Sequence, residues 1–217
     1  MGYNGYIAVE GPIGVGKTSL AKLLADRFAA RLILEMAEEN PFLPDFYKNR
    51  ERSAFQAQIF FLMSRYSQQQ QIINHDLFSK ALISDYLFAK DRIFARINLC
   101  DRELALYNRV ASTLESNTAR PDLVIYITAS VDILMERIRR RGRDFERGFD
   151  RDYLETVCES YSEFFFHYKS APLLVIKTDN TDFRKDAENF SYLIDKILSG
   201  PGGTEYISFD SLAIDGR

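Results

Sequence analysis

Gly11, Gly16, Lys17 and Thr18 occupy every fixed position of the pattern G-x-x-x-x-G-K-[ST], inside the run YIAVEGPIGVGKT at residues 6–18. Residues of these types at this spacing suit the phosphates of a nucleoside triphosphate. Glycines let backbone N–H groups turn inward on phosphate oxygens, and the helix that follows adds the positive end of its dipole. Lys17 would reach the β/γ-phosphates and the Thr18 hydroxyl would hold Mg²⁺. Gly14, Val15 and Ser19 complete the loop's share of the candidate ATP-binding residues. A glycine turn before an ordinary helix is the competing explanation. The context speaks against it: a strand-like apolar run at 6–9 precedes the loop, and Leu20, Ala21, Leu23, Leu24 and Phe28 follow at helical spacing.

Three carboxylates, Glu10, Glu35 and Asp85, stand at the carboxyl ends of predicted strands. If those strands are parallel neighbours, all three point toward the phosphate loop. Glu35 opens a polar, proline-containing loop, where a carboxylate could take the proton of an attacking hydroxyl. Asp85 could orient Mg²⁺ through its water shell. Glu10 is expected to brace the glycine loop instead. For each residue a helix cap or a surface acid is the alternative.

The run ERIRRRGRDFERG places six arginines between Arg137 and Arg147. Arg137 and Arg141 share a helical face, and Arg143 follows Gly142, a natural helix terminator. A helix dipole favours a cation or two at its C-terminus, worth about 0.3–1 kcal/mol each. Six exceed that need. Phosphoryl transfer spreads negative charge over the migrating group, and closing arginines stabilise it, so the segment is expected to be a basic lid. Nucleic-acid binding is disfavoured because no interleaved aromatics accompany the arginines. Gln56, inside an apolar helix beside Phe55, could read a nucleobase edge or serve as an ordinary core amide.

The elements that must position these groups alternate. Short apolar runs at 6–9, 32–34, 81–84, 123–128 and 173–177 are separated by helical patterns. This predicts an α/β fold with a five-stranded parallel sheet wrapped on both faces. A long helix is expected from Ser53 to about residue 74, with Phe55, Ile59, Leu62, Met63 and Tyr66 as its apolar stripe. Residues 1–199 form one expected domain, with the lid at about 137–149, and 200–217 a flexible tail. At 217 residues and net charge −3, the chain gives no whole-protein reason to expect nucleic acid or membrane partners. Its two cysteines lack metal or redox spacing, and no leader or spanning segment is evident, so a cytoplasmic location is expected.

Taken together, EGPIGVGKT, the Glu35 segment EMAEENPFLPDFY, Phe55-Gln56, Ser84-Asp85, the lid RIRRRGRDFERG and the run from Thr178 to Phe183 resemble the deoxyribonucleoside kinase family, closest to its bacterial deoxyadenosine/deoxyguanosine branch. The resemblance spans about residues 6–198. It implies a P-loop kinase fold and ATP-dependent phosphorylation of a deoxyribonucleoside 5′-hydroxyl, with Mg²⁺ as cofactor and a homodimer as assembly. By the same resemblance Glu35 is the catalytic base, Gln56 reads the nucleobase, and Tyr47 with Glu146 holds the deoxyribose 3′-hydroxyl. Lys17, Arg141 and Arg143 act on the transferring group, Arg137 and Phe183 flank the donor adenine, and Asp85 is the acid of the family's Glu/Asp-Arg motif, beside the acceptor and the metal. One departure stands out: many members carry Arg after that acid, and here the residue is Tyr86. Lys90 or Arg92, about one helical turn on, is expected to supply the charge.

Three rivals remain. A thymidylate-type monophosphate kinase needs an extra cationic site for its acceptor's phosphate. A nucleotide-gated switch of the GTP kind wants D-x-x-G and N-K-x-D, which are absent from the sequence. A structural domain with an inert loop is hard to square with an intact Gly16-Lys17-Thr18.

Overall fold

The computed structural model describes residues 3–75 and 81–209. The chain alternates strands and helices: β1 (Gly5–Glu10), α1 (Lys17–Phe28), β2 (Arg31–Ile33), α2 (Leu43–Lys48), α3 (Arg50–His75), β3 (Ala81–Ser84), α4 (Asp91–Asn98), α5 (Asp101–Glu115), β4 (Leu123–Thr128), α6 (Val131–Arg141), α7 (Arg151–Phe166), β5 (Leu173–Lys177), α8 (Ala187–Leu198) and β6 (Thr204–Ser208). The strands form one sheet in the order β2-β3-β1-β4-β5-β6, and every pairing is parallel.

All four residues of β3 and nearly all of β1 and β4 are buried, on both faces of the pleat. A strand buried on both sides needs cover on both sides, which accounts for near-continuous runs such as LVIYIT in place of polar alternation. β1 sits between β3 and β4, so its carboxyl end delivers the phosphate loop to the middle of the sheet. Loop and sheet are closely fitted there. A Cβ on Gly11, whose φ is 154°, would run into the Ile127 carbonyl at the end of β4.

Two expectations are corrected. Among the described residues the sheet has six strands, not five, because part of the supposed tail forms β6 beside β5. Gly200 and Gly203 take φ of 68° and 83°, turning the chain back so that the Leu173 N–H meets the Gly203 carbonyl at 2.8 Å. Only Ile207 within β6 and Phe209 just after it are buried, too short a pattern to mark a strand beside so glycine-rich a link. Residues 210–217 lie outside the described residues. The apolar stripe of α3 is also rotated from expectation. Ala54, Ala57, Gln58, Leu62, Arg65, Gln68, Gln69 and Ile72 are buried, whereas Met63 is exposed and Phe55, Ile59 and Tyr66 are half-buried. That helix carries its buried charge and amides inward, and begins at Arg50, where Asn49 accepts the Arg52 N–H, instead of at Ser53.

Candidate active site

Two cavities open at the carboxyl end of the sheet and share Gly14, Lys17, Thr18, Arg141 and Arg143. One is a cleft between the glycine loop, helix α6 and the loop after β5, with Arg137 and Phe183 in its wall. The other is a mixed polar and aromatic pocket lined by Glu35, Tyr47, Gln58, Phe61, Arg65, Lys90, Phe94 and Glu146. A group bridging the two would meet a lysine and two arginines.

The loop itself is braced by Glu10. Its carboxylate is buried and accepts the Gly11 N–H at 2.8 Å, the Leu87 N–H at 2.8 Å and the Tyr161 hydroxyl at 3.1 Å. Lys17 donates to the Gly11 and Pro12 carbonyls at 2.7 and 3.1 Å. Burial, helped by the like charge of Lys90, lowers its ammonium from 10.5 to about 8. The Thr18 hydroxyl donates to Asp85 at 2.5 Å, and the other Asp85 oxygen accepts the Glu35 N–H at 2.7 Å. Asp85 thus joins the loop to the backbone of the candidate base.

Glu35 is clamped. Arg65 Nε donates to one oxygen at 2.8 Å and Lys90 Nζ to the other at 2.9 Å. Burial alone would raise this carboxyl, but the Arg65 and Lys90 charges outweigh it and hold it well below the usual carboxylate range. Burial likewise works against the Arg65 charge, and Glu35 and Asp91 more than offset it. Of the two cations expected to replace the family arginine, Lys90 reaches Glu35, and Arg92 pairs instead with Glu115. Tyr86 is buried beside Gln69, and burial pushes its phenol upward.

The inner end of the pocket corrects the glutamine. Gln56 is exposed, whereas Gln58 is buried in the pocket wall. The Gln58 amide donates to the Asp91 side chain at 2.8 Å and to the Asp91 carbonyl at 3.0 Å. Arg65 and Tyr107 donate to the same carboxylate, the latter at 2.9 Å, and Arg65 stacks 4.9 Å from the Phe61 ring centroid. A planar polar edge could enter here between aromatic walls. Sequence reasoning missed Gln58, Arg65 and Asp91. The available signal was spacing: Gln58 and Arg65 lie seven apart, two turns of one helix face, in phase with Ala54 and Leu62.

Tyr47 and Glu146 line the same pocket. Tyr47 stacks on Phe145 at 5.7 Å and 17°, and Glu146 is buried beneath the lid. Arg141 grips Glu146 through two nitrogens, with Nε to Oε2 at 3.1 Å, and Arg143 reaches Glu38 at 3.0 Å and Glu146 at 3.9 Å. Arg137 donates to the Val15 carbonyl at 3.1 Å and the Thr178 carbonyl at 2.6 Å, tying the lid helix to the loop after β5.

Residues 7–199 match the family model described as deoxynucleoside kinase. The chain belongs to the deoxynucleoside kinase family. Its relatives include a deoxyguanosine kinase of Bacillus subtilis (strain 168), 36% identical over 190 residues that cover 85% of this chain and 92% of the relative. A deoxyadenosine kinase of Lactobacillus acidophilus is 31% identical, covering 82% of this chain and 87% of that one. In structure, a deoxyadenosine kinase from M. mycoides with bound dATP superposes with a TM-score of 0.75 at 25% identity, over 88% of this chain and 99% of that one. The enzyme is accordingly a deoxynucleoside kinase that phosphorylates a deoxynucleoside.

Proposed function

We propose that this deoxynucleoside kinase moves the γ-phosphoryl group of ATP onto the 5′-hydroxyl of its acceptor, with Glu35 as the base. The observation that carries this reading is the placement of Glu35 on the acceptor side of the junction where Lys17, Arg141 and Arg143 face both cavities. Clamped by Arg65 and Lys90, the carboxylate stays ionised and oriented, ready to accept the hydroxyl proton as the bond to phosphorus forms. Catalysis of this kind rests chiefly on positioning and charge, because the transition state is loose. Lys17 and the lid arginines stabilise the oxygens of the migrating group.

Mg²⁺ fits the pair Thr18 and Asp85: both offer hard oxygens, and they are already 2.5 Å apart beside the loop lysine. Among the described residues no cluster of three metal-binding side chains exists, so phosphate oxygens and water would fill the remaining positions. A bound Mg²⁺ would supply charge neutralisation for the donor phosphates. On the acceptor side, Tyr47 and Glu146 hold the sugar, and Gln58 with Arg65 meets the base edge, backed by Asp91. We read the enzyme as a cytoplasmic homodimer. In support, no helix among the described residues is long and apolar enough to cross a membrane, and Phe166 and Leu106 are apolar side chains 79% and 50% exposed.

The test is incubation with Mg-ATP and a panel of deoxynucleosides, ribonucleosides and nucleoside monophosphates, with products resolved by chromatography. Deoxynucleoside monophosphates and ADP are expected. Phosphorylation of monophosphates without phosphorylation of nucleosides would overturn the reading.

A further inference from the structure

The strand β6 and Phe209 lie beyond the stretch matched by the family model, which ends at residue 199. Ser208 is the register partner of Lys177, the last residue of β5, so β6 ends beside the start of the loop that walls the donor cleft. Phe209, 6% exposed, sets its ring edge-on to Phe183, with centroids 5.5 Å apart and planes at 83°. Tyr192 closes on Phe209 at 6.1 Å, and Phe190 meets Phe183 at 6.4 Å. Phe183 itself is half-buried and faces the cleft.

The loop is anchored at both ends. At its start, Arg137 holds the Thr178 carbonyl and the Thr178 N–H meets the Thr128 carbonyl at 2.8 Å. Asp182 shapes its far end by accepting from the Arg184 guanidinium and from the Lys185 N–H. The Phe183 ring is held by Phe190 and Phe209, and Phe209 directly follows the added strand. None of these aromatic residues lines the acceptor pocket.

We propose that β6 and Phe209 form a donor-specificity element: Phe209 fixes the Phe183 ring where the base of the nucleoside triphosphate packs, so the C-terminal strand sets affinity for the donor base. This rests on the reading that the Phe183 cleft takes the donor. The physical cause is preorganisation. A ring already ordered by an edge-to-face partner spends less binding free energy on its own immobilisation than a free one. Phosphate affinity resides in the loop and lid and is independent of Phe209.

The experiment uses the full chain and compares Phe209→Ala with the unsubstituted enzyme. The KM for ATP is expected to rise about three- to tenfold, while kcat and the KM for the deoxynucleoside hold. Competitive inhibition by inorganic triphosphate, which has no base, is expected to be unchanged. Tyr206→Ala, on the same strand but 75% exposed, is expected to leave every parameter in place. If Phe209→Ala yields too little folded protein, Phe209→Leu keeps most of the volume without the ring edge and should show the same split. An unchanged KM for ATP, or a parallel rise in the deoxynucleoside KM and the inorganic triphosphate constant, would overturn the proposal. Saturable ATP dependence of the unsubstituted enzyme checks the parent reading separately, and its absence would overturn both.

Discussion

The Lys90 ammonium lies 2.9 Å from Glu35 Oε2, delivered from the turn just before α4 to a carboxylate just after β2. Family resemblance places a cation four residues earlier, where this chain has the buried phenol of Tyr86. Moving the charge along the chain preserves its electrostatic task, because Coulomb energy depends on where the ammonium ends up and not on which residue carries it. Lys90 also lies 3.9 Å from Glu10, so one buried ammonium serves both the candidate base and the loop brace.

Lys90→Ala is therefore expected to lower kcat by about 10- to 100-fold with a smaller change in KM, read by steady-state kinetics. Losing the nearby cation moves the Glu35 pKa upward, so the acid limb of the kcat profile should shift to higher pH. Breaking a buried charge pair should also cost on the order of 3 kcal/mol in denaturant unfolding. Lys90→Arg should recover part of the turnover, and Arg92→Ala should leave it intact.

Glu35→Gln removes the proton acceptor while keeping the shape. Turnover should fall by about 10²–10⁴-fold, with the nucleoside dissociation constant close to the original by calorimetry. Because the folded Glu35 pKa is depressed, the stability it contributes is present above the ordinary carboxylate value and is lost as pH falls through the depressed one. The difference in melting temperature between the two proteins should accordingly shrink in strong acid. A variant with near-original turnover would remove Glu35 as base.

Lys17 has the opposite linkage. With its pKa lowered to about 8, the folded state gives up this proton more readily than the unfolded chain, so this group's contribution to stability improves as pH rises from about 8 toward 10.5. Function runs the other way. The kcat/KM for ATP, which reports the free enzyme, should decline above about pH 8, while kcat persists to higher pH because bound phosphates keep the ammonium charged. Coincident limbs in both profiles would contradict this assignment.

The two glutamines of α3 separate cleanly. Gln56→Ala, at an exposed site, should change stability by less than about 0.5 kcal/mol and leave kinetics alone. Gln58→Ala should raise the deoxynucleoside KM and alter the ranking of bases across the substrate panel, since Asp91 loses an amide that fixes it. The reverse pattern would restore Gln56 as the reading group.

The sequence shows the phosphate loop, Glu35, Asp85 and the lid because each is set by local order: glycine geometry, a strand end, a run of like charges. β1, β3, β4 and β5 are legible for the same reason, as apolar runs bounded by turns. What stayed hidden depends on contacts across the fold. Arg65 looks like a surface charge until Glu35 and Asp91, from two other segments, meet it in the interior. Gln56 and Gln58 differ by two positions, a turn of about 200° on a helix, and only the packing of α3 decides which faces in. β6 escaped because its pairing with β5 supplies the order that its own composition lacks.

The Arg141 guanidinium and the buried Glu146 carboxylate grip each other across the lid, and Arg143 stands 3.9 Å from the same carboxylate. If a sugar hydroxyl engages Glu146, as proposed, it would draw on oxygens these arginines now hold and free the cations for phosphate. Binding of one substrate should then favour the other, and thermodynamic reciprocity requires the two enhancements to be equal. The deoxynucleoside dissociation constant should fall in the presence of a non-hydrolysable ATP analogue by the same factor as the analogue's falls with nucleoside present. In Glu146→Gln, where Arg141 loses its carboxylate partner, that shared factor should contract toward one.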